Sequence, residues 1–482
     1  MSTDHICKKS EYRSRFVGDD GRSTLKKAFV LLAMFSFGCG SDDGAAPSKS
    51  GPAVPCAPDE TGPIPTDRCT TDAKDTSLPQ CNTWIKVEPP GAVCGDGSQY
   101  KFFVSYSNTS NDVLMEFEPG GACWDYESCS GTGGIRGAAN PHGIADDHMS
   151  SYQYLPLLNP TPTEANSNPT KDYNKVFVSY CTGDIHTGNK VATYTSEGPV
   201  DGGKGPGGTD SLTFNHAGHA DTLKVIDWMA DTFKSVPKLL VSGCSAGGAG
   251  ALLNYAFVRF GMGAAVQCSY LLDDSGPIFH GDGPSKALEA KVSASWNTDP
   301  IFDELNEQIP IDVAALKKDY GRINEWIAKS FPKDRLAITA YRMDFNYSLY
   351  SYQRFFPNPT EQQIHDFWWQ DFSSLIETLD TLDNFSYFIP YFRSDNCSHC
   401  TSIPPIGNPP EEPLDAAKAL GTPWFGTEIQ AKGLNLHDFV VTLLDDTKPM
   451  KSYVEDVQPN ESFSPAVSAQ CQAGGEASST AN

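Results

Sequence analysis

A serine between glycines, Gly243-Cys244-Ser245-Ala246-Gly247, is the feature of this sequence best placed to do covalent chemistry. The G-x-S-x-G spacing carries little weight alone in a chain with 42 glycines. Its flanks give it weight: the apolar run Lys238-Ser242 leads in as a strand, and Ala249 to Ala256 lead out as a helix. A serine on so tight a strand-to-helix turn has strained backbone geometry, with Gly243 and Gly247 allowing the two elements to approach closely. Its hydroxyl would stand at the carboxyl edge of a sheet, beside the positive end of a helix. The competing role is a capping serine in a glycine-rich turn.

A nucleophile of this kind needs amide donors for the negative charge that develops on a carbonyl oxygen. The strand Val113-Phe117 runs into Glu118-Pro119-Gly120-Gly121-Ala122-Cys123-Trp124. A double glycine just after an early strand is where backbone N–H groups can be presented to an oxyanion. Gly121 and Ala122 are the expected donors, together with the N–H of Ala246. A Cys123–Cys129 bridge would brace that loop. Trp124 and Tyr126 offer rings that could stack on a sugar or wall an acyl pocket.

The serine also needs a base, expected downstream in the order serine, acid, histidine. Of the 10 histidines, His280, His365, His399 and His437 follow Ser245. His280 follows too closely, and His365 sits inside a helical run. His399 lies on a loop just beyond the aromatic strand Phe385-Phe392 and leads over His437, which falls on a predicted helix. For the acid, Asp344 follows the strand Leu336-Tyr341 and precedes His399. Its rivals are Asp273 and Asp274, although Asp274-Ser275-Gly276-Pro277 also reads as an Asx turn. Cys397-x-His399-Cys400 resembles half of a zinc site, but no fourth ligand is evident, so no metal or other cofactor is expected.

The elements that must position these residues alternate between short apolar runs and amphipathic stretches. Further strands are expected at Lys175-Tyr180 and Cys268-Leu272, and helices at His216-Phe233, Ala246-Phe260, Thr360-Leu379 and Thr427-Leu444. The order implies an α/β fold: a doubly wound, mostly parallel sheet flanked by helices. With 482 residues and a hydrophobic fraction of 39%, the chain has enough material for one sizeable core. Its net charge of −24 would repel phosphate backbones, which excludes nucleic acid as a partner.

The N-terminus reads as an export signal. Lys26 and Lys27 precede a short apolar run from Ala28 to Phe37, which ends at Gly38-Cys39. Residues 1–38 read as a lipoprotein-type signal peptide, with Cys39 as the lipidated mature terminus; simple secretion is the alternative. A Ser/Pro-rich tether follows over 39–80, then a catalytic body over 81–459 and a polar tail over 460–482. Setting aside Cys7 and Cys39, twelve of the 14 cysteines remain, an even number that suits a disulfide framework in an oxidising compartment. Cys397 with Cys400 is a second candidate local staple, and Cys56 and Cys69 are candidates for pinning the tether to the body.

At this point the residues resemble a known family, the pectin acetylesterases and the related Notum-type carboxylesterases. The resemblance runs from about Val113 to His399. It is carried by Ser242-Gly-Cys-Ser-Ala-Gly-Gly248 with Leu252-Leu253-Asn254, and by Glu118-Pro-Gly-Gly-Ala-Cys-Trp124 through Cys129. Tyr180-Cys-Thr-Gly-Asp-Ile-His186-Thr-Gly188, Asp274-Ser-Gly-Pro277 and the Asp344, Gln353, Phe356 stretch add to it. It implies an α/β-hydrolase-like fold, no metal requirement and a triad of Ser245, Asp344 and His399. Ala122 departs from the aromatic residue common in the animal members. Asp184 and His186, at a strand end facing the presumed site, are candidates either for the pocket or for loop structure.

The expected activity is acyl transfer on an ester, with deacetylation of a polysaccharide first and a longer acyl ester second. The chain is expected to be a monomer that meets a membrane only through its lipid anchor. A non-catalytic surface lipoprotein using a degenerate hydrolase fold for binding is the rival class.

Overall fold

The computed structural model describes residues 56–58, 62–132, 137, 139–150, 157–158, 168–196, 210–308, 311–392, 398–402 and 430–456. The candidate signal peptide, Cys39, Cys397 and the polar tail lie outside the described residues.

A nine-stranded sheet organises the body. Its first strands are β1 (Trp84–Val87), β2 (Phe102–Ser105), β3 (Val113–Phe117) and β4 (Asn174–Val178). A hairpin of β5 (Lys190–Thr195) and β6 (Ser211–His216) lies outside the main sheet. The sheet continues with β7 (Val236–Cys244), β8 (Val266–Asp274), β9 (Arg335–Thr339) and β10 (Phe385–Ile389). A second hairpin, β11 (Gln430–Ala431) with β12 (Leu434–Asn435), precedes the edge strand β13 (Tyr453–Val454).

The order is β1-β2-β4-β3-β7-β8-β9-β10-β13. β2 runs antiparallel to both β1 and β4, and every pairing from β4 onward is parallel. This is the α/β-hydrolase arrangement: a mostly parallel sheet flanked by helices, as the sequence pattern implied. The central strand β7 is buried along its length apart from Lys238, which explains its continuous apolar run.

The helices used below are α1 (Tyr126–Cys129), α2 (Gly218–Thr232), α3 (Ala246–Met262), α4 (Lys286–Trp296), α5 (Asp299–Gln308), α6 (Val313–Leu316) and α7 (Arg322–Ser330). They continue with α8 (Phe345–Tyr352), α9 (Glu361–Leu379) and α10 (Leu436–Leu443). Thr360 and Gln363 form a capping box that fixes the start of α9. The helix expected over Thr427-Leu444 is shorter than predicted. Residues 430–435 turn back through Lys432 and Gly433, both at positive φ, to make the β11–β12 hairpin.

Five disulfides link described residues: Cys56–Cys268, Cys69–Cys81, Cys94–Cys181, Cys123–Cys129 and Cys244–Cys400. The Cys123–Cys129 staple is as expected, and Cys56 is pinned to the sheet through Cys268. Cys69 instead closes a local loop with Cys81. The expected Cys397–Cys400 staple is replaced by Cys244–Cys400, which joins residues 156 apart in sequence. Sequence proximity favoured the local pair, but the sheet brings the end of β7 beneath the segment that follows β10.

Candidate active site

Ser245 sits between the last residue of β7 and the first of α3, at φ 57° and ψ −122°. A non-glycine residue with positive φ is strained, and the turn tolerates it because its surroundings determine it. The Ser245 N–H donates to the Asp274 carbonyl at 2.8 Å, and its own carbonyl accepts from the Ala249 N–H at 3.0 Å. At Gly247 a Cβ would lie 2.1 Å from the Phe117 carbonyl oxygen, so only glycine lets α3 come this close to β3. The sequence reading of a tight strand-to-helix turn therefore holds.

The Glu118–Trp124 loop faces this turn. Gly120 and Gly121 take φ values of 155° and 79°. Tyr180, fully buried at the end of β4, donates its hydroxyl to the Gly121 carbonyl at 2.9 Å and accepts the Ile185 N–H at 2.8 Å. A trans peptide points its C=O and N–H in opposite directions. Fixing the Gly121 carbonyl on Tyr180 therefore aims the Ala122 N–H the other way. The Cys123 N–H bonds the Gly183 carbonyl at 2.8 Å, the Trp296 indole bonds the Cys123 carbonyl at 2.7 Å, and the Cys123–Cys129 bond closes the loop. Among the described residues the N–H groups of Gly121, Ala122 and Ala246 have no hydrogen-bond partner. All three residues line one cleft with Ser245.

Asp344 and His399 meet although 55 residues separate them: His399 Nδ1 lies 2.8 Å from Asp344 Oδ2. Asp344 caps α8, its Oδ1 accepting the N–H groups of Asn346 and Tyr347 at 2.8 and 2.7 Å. One oxygen is thus held by the helix start while the other holds the ring, and the carboxylate is fully buried. With Nδ1–H donated to Asp344, Nε2 carries the lone pair. Burial draws the His399 pKa down, but the charge and hydrogen bond of Asp344 outweigh it, and Asp274 adds to the rise, leaving it above the ordinary value. A ring nitrogen of His399 and the sulfurs of Cys244 and Cys400 all lie within 4.8 Å of one another. The imidazole is therefore beside the residue that immediately precedes Ser245. The Ser245 hydroxyl makes no hydrogen bond among the described residues.

The other histidines are occupied elsewhere. His437 bonds Asp438, its neighbour on α10, at 3.4 Å, and His280 bonds Asp319 and Thr378. His365 is buried against Phe345, which lowers its pKa to about 4.

Several expected pocket residues are placed differently. Asp184 is fully buried, accepting from Thr182 Oγ1 and from the N–H groups of His186 and Gly218, and burial raises its pKa to about 6. His186 stacks on Tyr180, and its Nε2 bonds the Glu118 carbonyl at 3.0 Å. His186 thus braces the Gly-Gly loop from behind, Asp184 fixes the turn that carries it, and neither lines the cleft. Tyr126 does not line it either. Trp124 does, packed against Tyr350 and Phe355. The sequence reading missed Ile185 and Thr187, which line the cleft on either side of the buried His186. It also missed α4, whose Leu288, Val292 and Trp296 form an apolar wall opposite Leu253 and Phe279. Their spacing of four and four is helical, but the helix lacks a strong polar–apolar contrast.

Residues 74–306 match the family model described as Pectinacetylesterase. Over that segment the chain is similar to the pectinacetylesterase family. A curated relative, Pectin acetylesterase 7 of Arabidopsis thaliana, is 28% identical over 196 residues, covering 40% of this chain and 44% of the relative. The match thus spans less than half of that relative's length. Among solved structures the chain is similar to two crystal forms of the Wnt deacylase Notum from Drosophila. The first has a TM-score of 0.47 at 15% identity, over 77% of this chain and 96% of that one. The second has a TM-score of 0.43 at 16% identity, over 70% and 94%.

Proposed function

We propose that this chain is a serine carboxylesterase of the pectinacetylesterase family. Ser245 is the nucleophile, His399 the general base and Asp344 the residue that orients and charges the imidazole. The carrying observation is the 2.8 Å Asp344–His399 contact, delivered beside the residue preceding Ser245. In the reaction His399 takes the Ser245 proton as the oxygen attacks the ester carbonyl. The resulting oxyanion is received by the N–H groups of Gly121, Ala122 and Ala246. The protonated ring then gives its proton to the departing alcohol, leaving an acyl-enzyme. Water, deprotonated by the same ring, releases the acid and regenerates Ser245.

Deacetylation of a polysaccharide is the first substrate reading, and it rests on the family. A net charge of −24 favours an uncharged carrier over a polyanionic one. A specific observation favours the second reading, a longer acyl chain. The wall from Leu288 to Trp296 runs over eight residue steps of α4, about 12 Å at 1.5 Å per residue. That far exceeds the reach of an acetyl group. A series of p-nitrophenyl esters from acetyl to decanoyl separates the two: collapse of kcat/KM beyond acetyl supports the first, and a maximum at medium length supports the second.

Labelling with a fluorophosphonate followed by peptide mapping tests the nucleophile itself. Label on Ser245, lost together with turnover in Ser245→Ala, supports the assignment. A folded Ser245→Ala protein that still hydrolyses esters refutes it, and an intact wild type that neither labels nor turns over points to the non-catalytic binding class.

Export belongs to the same proposal: a leader over 1–38, lipidation at Cys39, a tether to residue 80, a catalytic body over 81–459, a tail over 460–482 and a monomeric state. The disulfides support an oxidising compartment. No helix among the described residues is long and apolar enough to cross a membrane.

A further inference from the structure

The segment that carries His399 is not regular secondary structure, and its backbone is under strain. Ser398 and Cys400, on either side of the histidine, both hold positive φ, 49° and 59°. Non-glycine residues stay there only when their surroundings impose it. One restraint is the Cys244–Cys400 bond and another is the Asp344 contact to the ring. Neither fixes the chain just beyond Cys400.

That task falls to Asp274, the last residue of β8, which is 1% exposed. Its Oδ1 accepts the Thr401 N–H at 2.8 Å and lies 2.8 Å from the Thr401 hydroxyl and 3.0 Å from that of Thr339. Its Oδ2 accepts the Ser402 N–H at 2.9 Å and the Ser402 hydroxyl at 2.5 Å. The same residue's main-chain carbonyl accepts the Ser245 N–H at 2.8 Å. Its strand neighbour in register is Cys244. Asp274 therefore grips the nucleophile turn with its backbone and the base segment with its side chain.

The acids around it do other work. Asp273 Oδ1 takes the Gly276 N–H, and burial raises its pKa well above the usual range. Burial also raises the Glu116 pKa to about 8, against an opposing hydrogen bond from Ser242.

We propose that Asp274 is a positioning residue: it sets the distance and angle between His399 and Ser245 by tying both segments to the end of β8. This rests on the reading of His399 as the base. Asp274 need not touch the substrate. It acts through Thr401 and Ser402 on the geometry of the ring, and as one of two carboxyl side chains, with Asp344, whose charge acts on the imidazole.

Asp274→Asn in the full chain tests this. The amide keeps the shape, removes the charge and sets an NH2 against one of the N–H donors of the loop. The His399 pKa, followed by NMR on histidine-labelled protein and assigned with His399→Gln, is expected to fall. The kcat for p-nitrophenyl acetate is expected to fall about 10- to 100-fold, as for loss of a charged hydrogen bond, with KM within about twofold. The double variant Thr401→Val, Ser402→Ala removes the loop's hydroxyls and leaves the charge. It is expected to lose kcat with a smaller change in ring pKa.

A folded Asp274→Asn with wild-type ring pKa and kcat overturns the proposal. Should that variant not fold, an unaltered kcat in the double variant overturns it instead. A wild type inert toward esters, with the ring pKa still falling in Asp274→Asn, sinks the esterase reading while leaving Asp274 as the anchor of the segment.

Discussion

Tyr180→Phe isolates the orientation of one peptide group. The substitution removes a single oxygen that donates to the Gly121 carbonyl at 2.9 Å and accepts the Ile185 N–H at 2.8 Å. The ring stays, and with it the packing on His186 at a centroid distance of 4.5 Å. A well-aimed oxyanion donor contributes about 2.7–4 kcal/mol, so complete loss of the Ala122 N–H would cost roughly 10²–10³ in kcat. The loop keeps its ties through Cys123, Gly183 and Trp296, so the peptide tilts and does not flip. The expected cost is therefore about half of that free energy, roughly 10- to 30-fold in kcat. Because the donor acts on charge that exists only in the transition state, KM should stay within about twofold. Leaving two half-buried groups unpaired also costs about 1–3 kcal/mol of stability, read as a lower thermal midpoint. Steady-state kinetics on p-nitrophenyl acetate, beside a thermal melt, checks both. A variant with the lowered midpoint and wild-type kcat would refute the reasoning, since Tyr180 would then support the fold without aiming the amide.

Asp344→Asn should lower kcat by on the order of 10⁴, as when a triad acid loses its charge. It also removes the main influence that raises the His399 pKa, so burial prevails and the acid limb of the kcat/KM profile moves to lower pH. Glu116 is pushed from 4.5 to about 8 by burial, so its contribution to stability is full below pH 4.5 and is lost as pH rises through 8. Glu116→Gln should accordingly raise the denaturation midpoint at pH 9 and make little difference at pH 4. Val292→Trp fills the cleft beside α4; decanoyl ester turnover should fall at least tenfold while acetyl ester turnover changes little. Equal loss on both esters would place the acyl group elsewhere.

The central strands were legible because burial on both faces leaves an uninterrupted apolar run. β3 matches its expected bounds, and β7 and β8 extend theirs by a few residues into polar or glycine positions that the register still pairs. β1 and β2 escaped notice because they are four-residue strands at the antiparallel edge, too short to show a period. The helices between β8 and β9 were equally silent. α4 carries its apolar residues toward a cleft and not toward the main core, so its face is mixed with Ser285 and Glu289. A sequence pattern tuned to cores passes over such a surface.

The site divides along the same line. Ser245 and the double glycine were legible because the backbone geometry they require is local and demands particular residue types. Asp344 and His399 were placed by chain order, and the structure brings them to 2.8 Å of each other. What sequence order cannot supply is which of several buried acids faces which loop. Asp184, Asp273, Asp274 and Asp344 all lie at or beyond strand ends and all are buried, yet only Asp344 reaches the imidazole directly. Asp184 binds backbone amides of its own turn and of α2, and Asp274 binds the segment beyond Cys400. The distinction is made by the partner each side chain finds across the sheet edge, a fact of tertiary packing. Roles at this edge are therefore best assigned by counting what each carboxylate already holds: one that is filled by main-chain and hydroxyl donors fixes geometry, and one that keeps an oxygen for the imidazole can orient that ring and stabilise its charged form.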